Sequence, residues 1–313
     1  MQPLKIVSIV DAAVGIRSFE LAHPDGAALP PFSAGSHVKV QAPNGAIRKY
    51  SLCNDPHETH RYVITVKRDA AGQGGSISMV DDAHLGATLL VSDPENAFPL
   101  APNAARYIFI AGGIGITPIL SMIRSFGELP PAPWKLYYLT QNPESTAFLD
   151  QLSAPELRAH VKIHHDYGDM KNAFDLWPVL ERPISAHVYC CGPRGLMDAV
   201  RDMSGHWSAS NIHFESFIDG SIARPNDHPF TVTLARSGES VAVPIGKSIL
   251  VALREAGHVV PSSCESGTCG SCRTTLLEGQ ADHRDMVLMP EEMDTQIMVC
   301  VSRAHSPVLL LDL

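Results

Sequence analysis

Three of the chain's seven cysteines crowd into one short stretch, Pro261-Ser-Ser-Cys264-Glu-Ser-Gly267-Thr-Cys269-Gly270-Ser-Cys272, and a fourth, Cys300, follows in Met298-Val-Cys300-Val. The spacing C-x4-C-x2-C with a distant fourth thiol is the plant-type ligand set for a [2Fe-2S] cluster. Two irons bound only by thiolates need four sulfurs in one small volume. A tight loop can supply Cys264, Cys269 and Cys272, and the rest of the fold must deliver Cys300. Gly267 and Gly270 let the loop wrap inorganic sulfide without a Cβ in the way. Two other chemistries use cysteine. Zinc sites favour paired C-x2-C knuckles, and only one such pair is present. Disulfide frameworks belong to short, cysteine-rich secreted chains. Neither suits this pattern as well as the cluster does.

Upstream, Arg48-Lys49-Tyr50-Ser51-Leu52 sets a guanidinium, a phenol and a hydroxyl close together. On an extended strand Arg48 and Tyr50 share one face. They could hold a flavin, or they could be surface residues of an edge strand. Val66-Lys67-Arg68 and then Gly72-Gln-Gly74-Gly75-Ser76-Ile77-Ser78-Met79 read as a glycine loop opening a short helix. Backbone amides there, with Ser76 as cap and Lys67 and Arg68 nearby, would make a phosphate site. A plain glycine turn is the other reading. Tyr107-Ile-Phe-Ile-Ala111 runs into Gly112-Gly113-Ile114-Gly115-Ile116-Thr117-Pro118 and a helical pattern, a dinucleotide cradle by mechanism although not the G-x-G-x-x-G fingerprint. Pro118 suits a first helical turn. Cys191-Gly192-Pro193 ends a later apolar strand, where it could meet a nicotinamide or simply form a turn. His164 and His165 are adjacent on a strand, so they face opposite ways and cannot share an ion.

The elements that must position these groups change texture along the chain. Short strands at Lys5–Val10, Arg17–Leu21, His37–Val40 and Tyr62–Val66 predict an antiparallel β-barrel over residues 1–101. Strand patterns at Tyr107–Ala111, Lys135–Leu139 and His187–Cys191 alternate with helical ones near Phe148–Leu152 and Leu196–Met203. That alternation predicts an α/β domain with a parallel sheet over 102–222. The turn-rich stretch from Asp219 to Pro229 reads as a linker, bounded here at 223–229. Strands at Phe230–Leu234, Ser240–Val243, Arg273–Leu277, Gln296–Val301 and Val308–Leu311 surround a helix after Ser248 that stops at Gly257. They predict an α+β ferredoxin domain over 230–313.

Length alone calls for two or three domains. The 313 residues are 45% hydrophobic and 18% charged, with a net charge of −9, which argues against nucleic acid. There is no apolar run long enough for a membrane span. The amino terminus lacks the pattern of a signal peptide. Cys53, Cys190 and Cys191 are then reduced thiols in a cytoplasmic protein.

A nicotinamide gives up two electrons at once and a [2Fe-2S] cluster takes them singly. A carrier that does both is required between them, and a flavin is such a carrier. This raises the flavin reading of the two barrel segments. Taken in order, Arg48-x-Tyr50-Ser51, Gly74-Gly75-Ser76, Ala111-Gly-Gly-Ile-Gly-Ile-Thr-Pro118, Cys191-Gly-Pro193, Phe214-Glu-Ser-Phe217 and the cysteine loop resemble the phthalate dioxygenase reductase family over essentially the whole chain. The resemblance implies FMN lined by Arg48, Lys49, Tyr50 and Ser51. Its ribityl chain and phosphate would lie on Val66, Lys67, Arg68, Gly74, Gly75 and Ser76. Thr117 would reach it from the nucleotide domain, and Phe217 would stack on the ring until nicotinamide displaces it. NADH would lie on Gly112, Gly113, Ile114, Gly115, Ile116, Thr117, Pro118, Cys191, Gly192 and Pro193. Cys191 and Glu215 would orient the nicotinamide. The segment Thr140-Gln-Asn-Pro-Glu has no cation for the extra phosphate of NADPH.

The expected activity is that of an NADH-dependent iron-sulfur flavoprotein, the reductase of a two-component aromatic-ring dioxygenase. It would hand electrons to a terminal Rieske-type oxygenase and act as a monomer. Reductases of vanillate O-demethylase resemble it too. A diaphorase and a non-enzymatic ferredoxin-type carrier are the other readings.

Overall fold

The structure, a computed structural model, describes residues 1–72, 74–127, 129–217 and 224–313. The chain divides into two compact units, 1–213 and 214–313.

The first unit opens with β1 (Gln2–Ala13), β2 (Ile16–Ala22), β3 (Ser36–Gln41), β4 (Ile47–Ser51), β5 (Tyr62–Lys67), α1 (Gly75–Asp81), β6 (Thr88–Val91) and β7 (Glu95–Asn96). Their sheet runs β4-β3-β6-β1-β2-β5, with β7 on β3, and its pairings are antiparallel. The two end strands meet through a bridge between Leu52 and Ile64 and the bond from Cys53 N to Val63 O at 2.9 Å. That contact closes the predicted barrel. β5, Tyr-Val-Ile-Thr-Val-Lys, is β-branched and buried up to its last residue. Met79 and Val80 of α1 join the barrel core of Leu4, Ile6, Phe19, Val38 and Ile64.

The α/β layer follows: β8 (Tyr107–Gly112), α2 (Ile116–Arg124), β9 (Trp134–Thr140), α3 (Leu149–Leu152), β10 (Val161–His165), α4 (Trp177–Leu180), β11 (His187–Cys191), α5 (Arg194–Met203) and β12 (Ile212–Glu215). The sheet order is β10-β9-β8-β11-β12, and the pairings of β10 with β9, β9 with β8 and β8 with β11 are parallel. The order reverses between β8 and β11, and that crevice beyond the strand ends is where such sheets bind ligands. One continuous core joins this layer to the barrel: Ile16, Cys53, Val63 and Phe98 lie with Phe109, Ile116, Leu120 and Tyr189. Ser121 Oγ donates to Asn54 O at 2.9 Å and Arg124 Nη1 to Cys53 O at 2.5 Å across the same seam.

The second unit carries β13 (Phe230–Leu234), β14 (Ser240–Val243), α6 (Ile249–Glu255), β15 (Arg273–Glu278), β16 (Ala281–Asp282), β17 (Gln296–Met298), β18 (Arg303–Ala304) and β19 (Val308–Leu311). The order β14-β13-β19-β15-β17 mixes one parallel pairing, β13 with β19, into antiparallel neighbours, while β16 and β18 pair alone. Ser248 Oγ caps α6 from Val251 N, and Gly257 follows its end at φ +89°. The expected strand Gln296–Val301 stops at Met298, because Val299 to Val301 turn to bring Cys300 toward the loop. Of the expected linker, Ala223 lies outside the described residues. The rest is anchored: the Asp227 carboxylate takes bonds from Arg284, with Arg303 beside it, and all three side chains are almost fully buried.

Candidate functional site

The cysteine loop follows α6 and returns into β15. It needs left-handed backbone at three places, Glu265 (φ +56°), Gly267 (φ +75°) and Gly270 (φ +80°). Glycine supplies that conformation freely at two of them. Gly267 has a second reason, since a Cβ there would stand 2.6 Å from Val301 Cγ2 and 3.1 Å from Asp285 Cα. The loop is thus pressed onto the protein as well as curved. Backbone amides point at sulfur: Ser266 N and Thr268 N each donate to Cys264 Sγ at 3.4 Å, and Cys264 N to Cys269 Sγ at 3.5 Å.

The cysteines stand two and two. Cys269 donates to Cys264, which with Thr268 and the Ser266 amide lowers the Cys264 thiol to about 4 despite burial, and Cys269 is raised. Cys300 donates to Cys272 in the same way, lowering Cys272 and rising itself. Cys272 and Cys300 are buried, while Cys264 and Cys269 are half-exposed. Among the described residues no His, Cys, Asp and Glu side chains gather round a single-ion position. Two sulfur pairs, one buried and one half-exposed, fit a group of two metal centres, each taking one pair.

In the barrel, β4 holds Arg48, Lys49, Tyr50 and Ser51, and the turn into α1 lies against it. A Cβ on Gly75 would stand 2.9 Å from Arg48 Cγ. Asn44, in the turn before β4, donates from its side chain to Gly74 O at 3.3 Å. The structure therefore brings Arg48, Gly74 and Gly75 together. Ser76 does not cap the helix: the N-cap is Gly74, at φ +84°, and Ser76 Oγ instead accepts from Asp69 N at 3.1 Å. The helix starts at Gly75, so Ser76 falls inside its first turn, and the left-handed cap position is taken by glycine, which adopts it without strain. Arg68 is engaged by Asp81 through bonds of 2.9 to 3.0 Å, Lys67 is exposed, and the Val66 side chain is in the core. Tyr50 Oη is buried with no hydrogen-bond partner, and burial pushes its pKa up to about 12. A buried phenol without a partner is costly, and a polar ring edge seated beside it would remove the cost. These residues suit a flavin on that observation.

At the strand ends the glycines serve each other. A Cβ on Gly115 would meet Cys191 O at 2.2 Å, and one on Gly112 would meet Pro193 Cδ at 2.6 Å. A Cβ on Gly192 would in turn stand 2.9 Å from Gly112 Cα. Gly113, at φ +53°, has open space around it. The sequence suggests that all four make room for a ligand. The structure gives Gly112, Gly115 and Gly192 to the packing of two adjacent strand ends and leaves the open face to Gly113. Ile116, Thr117 and Pro118 form the first turn of α2, with Thr117 Oγ1 donating to Ile114 O at 3.1 Å, and the turn Gly113–Gly115 packs beside β5. Cys191 is fully buried and Glu215 nearly so at the end of β12, while Phe217 is half-exposed. His165 Nδ1 bonds Thr140 and His164 Nε2 bonds Asn172 O, on opposite sides of β10. Asn44 is missed by the sequence reading, although Asn44-Gly45 is a turn signal that could have found it.

Comparison with known proteins places these observations. The model of the 2Fe-2S iron-sulfur cluster binding domain matches residues 232–305. The phthalate 4,5-dioxygenase oxygenase reductase subunit of Pseudomonas putida is 57% identical over 312 residues, 99% of this chain and 96% of that one. The phthalate dioxygenase reductase of Burkholderia cepacia is 57% identical over 311 residues, covering 99% and 97%. A solved phthalate dioxygenase reductase, described as a modular structure for electron transfer from pyridine nucleotides to [2Fe-2S], aligns with a TM-score of 0.75 at 55% identity, covering 100% of this chain and 98% of that one.

Proposed function

The chain belongs to the phthalate dioxygenase reductase family, and we propose that it takes electrons from NADH and delivers them to the terminal oxygenase of an aromatic-ring dioxygenase of phthalate type, with FMN and a [2Fe-2S] cluster as its carriers. The observation that carries this reading is the cysteine loop itself, curved by left-handed backbone at Gly267 and Gly270 and with the amides of Ser266 and Thr268 donating to Cys264 Sγ, on the same chain as a strand-end glycine site. When bound, the flavin and the cluster supply the conversion from paired to single electrons.

The protein's own work is placement. Cys264, Cys269, Cys272 and Cys300 would hold the cluster, each as a thiolate. The amides of Ser266 and Thr268 remain to donate to the Cys264 sulfur. Arg48 to Ser51 would line the flavin, with the Tyr50 phenol donating to a polar ring atom and Gly74, Gly75 and Ser76 facing its phosphate. Arg68, neutralised by Asp81, would shape that pocket more than bind in it. Gly113 offers the nucleotide an open backbone face. The fully buried Cys191 would support the nicotinamide from beneath, Glu215 would orient it, and Phe217 would cover the flavin until it arrives. No cation stands in Thr140-Gln141-Asn142-Pro143-Glu144, which supports NADH over NADPH. We assign the flavin domain to 1–101, the nucleotide domain to 102–222, the linker to 223–229 and the ferredoxin domain to 230–313. Among the described residues no helix is long and apolar enough to cross a membrane.

A visible spectrum of the purified chain tests the reading. Flavin bands over a reddish cluster absorbance, both bleached by NADH, and NADH-driven turnover of a phthalate-type oxygenase support it. A chain that takes up the cluster and no flavin is a carrier only, and the proposal fails.

A further inference from the structure

α6 buries Ile249, Leu250 and Leu253 in the core of its unit and sends Arg254, in its last turn, toward the cysteine loop. Arg254 Nη1 donates to Glu265 Oε1 at 2.8 Å, and Arg254 Nη2 contacts Ser262 Oγ. Ser262 Oγ also donates to Glu265 Oε1 at 3.3 Å. The triangle brackets Cys264, with Ser262 two residues before it and Glu265 immediately after.

Glu265 is the loop's anomaly. It holds φ at +56° without being glycine, a conformation that L-residues with a Cβ adopt rarely and only when neighbours enforce it. The two residues that follow at intervals from this turn, Ser266 and Thr268, are those whose amides reach Cys264 Sγ, each at 3.4 Å. Relaxing Glu265 to ordinary backbone would swing both amides off the sulfur. Resting on the reading that the four cysteines hold a cluster, we propose that Arg254 is a positioning residue for it: the guanidinium holds Glu265 in the left-handed turn, and the turn aims two amides at the Cys264 sulfur. Hydrogen bonds to cluster sulfurs raise the reduction potential, so Arg254 sets the cluster's potential and its retention through a residue it never shares with the metal.

The test uses the full-length protein with its cluster and flavin, comparing Arg254→Ala, Arg254→Lys, Glu265→Gly and the double variant Arg254→Ala with Glu265→Gly. The readouts are the cluster's midpoint potential by dye titration and the rate at which a chelator bleaches its visible band. Arg254→Ala lowers the potential and speeds cluster loss about tenfold, the low end of what a group behind the ligands controls. Arg254→Lys, keeping one donor, recovers part of both. Glu265→Gly holds the turn without help and keeps the cluster. In that background Arg254→Ala moves neither readout.

An Arg254→Ala chain with unchanged potential and retention overturns the proposal. So does an equal effect of Arg254→Ala with or without glycine at position 265, and so does loss of the cluster from Glu265→Gly alone. Failure of the underlying four-cysteine reading shows elsewhere, as an unsubstituted protein that takes up no cluster.

Discussion

Gly115→Ala tests whether the contact between two strand ends sets the nucleotide site. The added methyl carbon would sit 2.2 Å from Cys191 O, 2.5 Å from Cys191 C and 2.9 Å from Gly192 N. These are backbone atoms in a parallel ladder whose register pairs Cys191 with Ala111, so no side chain can rotate away. Reaching ordinary contact requires the two loops to part by about 1 Å, and overpacking of this kind costs about 1–3 kcal/mol of stability. Misplacing reacting groups by that distance costs about a hundredfold in rate, roughly 2.7 kcal/mol of barrier. The assay is stopped-flow bleaching of the flavin by NADH, with the cluster absorbance as a check that the second unit is intact. The expected result is a rate about a hundredfold lower in a folded, loaded protein. Gly113→Ala is the counterpart. Its Cβ meets nothing at φ +53°, so it costs only about 1–2 kcal/mol of strain while raising the Kd for NADH. A Gly115→Ala protein that reduces its flavin within twofold of the parent would refute the reasoning.

Tyr50→Phe separates two effects of opposite sign. It removes a buried hydroxyl that has no partner, so the flavin-free protein gains about 1 kcal/mol in thermal unfolding, while FMN affinity falls about fivefold for the lost bond. A change of the same sign in both would count against the flavin's place beside Tyr50. Cys300→Ser, replacing the inner, buried sulfur, abolishes the cluster absorbance while NADH still bleaches the flavin; a retained cluster would remove Cys300 from the ligands. Asp227→Asn strips the carboxylate that Arg284 and Arg303 share below the surface, and melting followed by cluster bleaching shows a loss of about 3–5 kcal/mol. Burial alone would raise the Asp227 carboxyl, but the bond from Arg284 holds it below its usual range. Its contribution is therefore complete above the unfolded carboxylate pKa of about 3.9 and disappears as pH falls through the lower folded value. The gap between parent and Asp227→Asn stays constant from neutral pH to about 5 and closes in stronger acid, and a gap that widens in acid would reverse the assignment.

The parts of the fold that could be read from the residues are those whose signals are local. β13, β14 and β19 match the sequence pattern to the residue, because Phe-Thr-Val-Thr-Leu and Ser-Val-Ala-Val alternate without interruption. β12 escapes it, and of β10 only the end at His164 and His165 is found. Val161-Lys-Ile-His-His and Ile212-His-Phe-Glu are short strands diluted by histidine and charge, and parallel pairing rather than local alternation holds β10. At the site the cysteine spacing is sufficient to find four residues, since one cofactor dictates it. The strand-end glycines are found as room for a ligand, and for Gly112, Gly115 and Gly192 the structure adds a second reason. Their Cβ atoms are excluded chiefly by a neighbouring loop some eighty residues away, which no single segment reveals. Arg254 and Glu265 carry no motif at all, because their relation depends on where a helix happens to end.

The shared core of the first unit has a consequence for how such chains can be assembled. Parting the barrel from the α/β layer would lay Ile16, Val63, Phe98 and Ile116 bare to water, so those two pieces must be inherited together. The residues beyond β12 own a separate sheet, helix and apolar interior. That portion keeps its own apolar interior, so recombination can carry it as one piece.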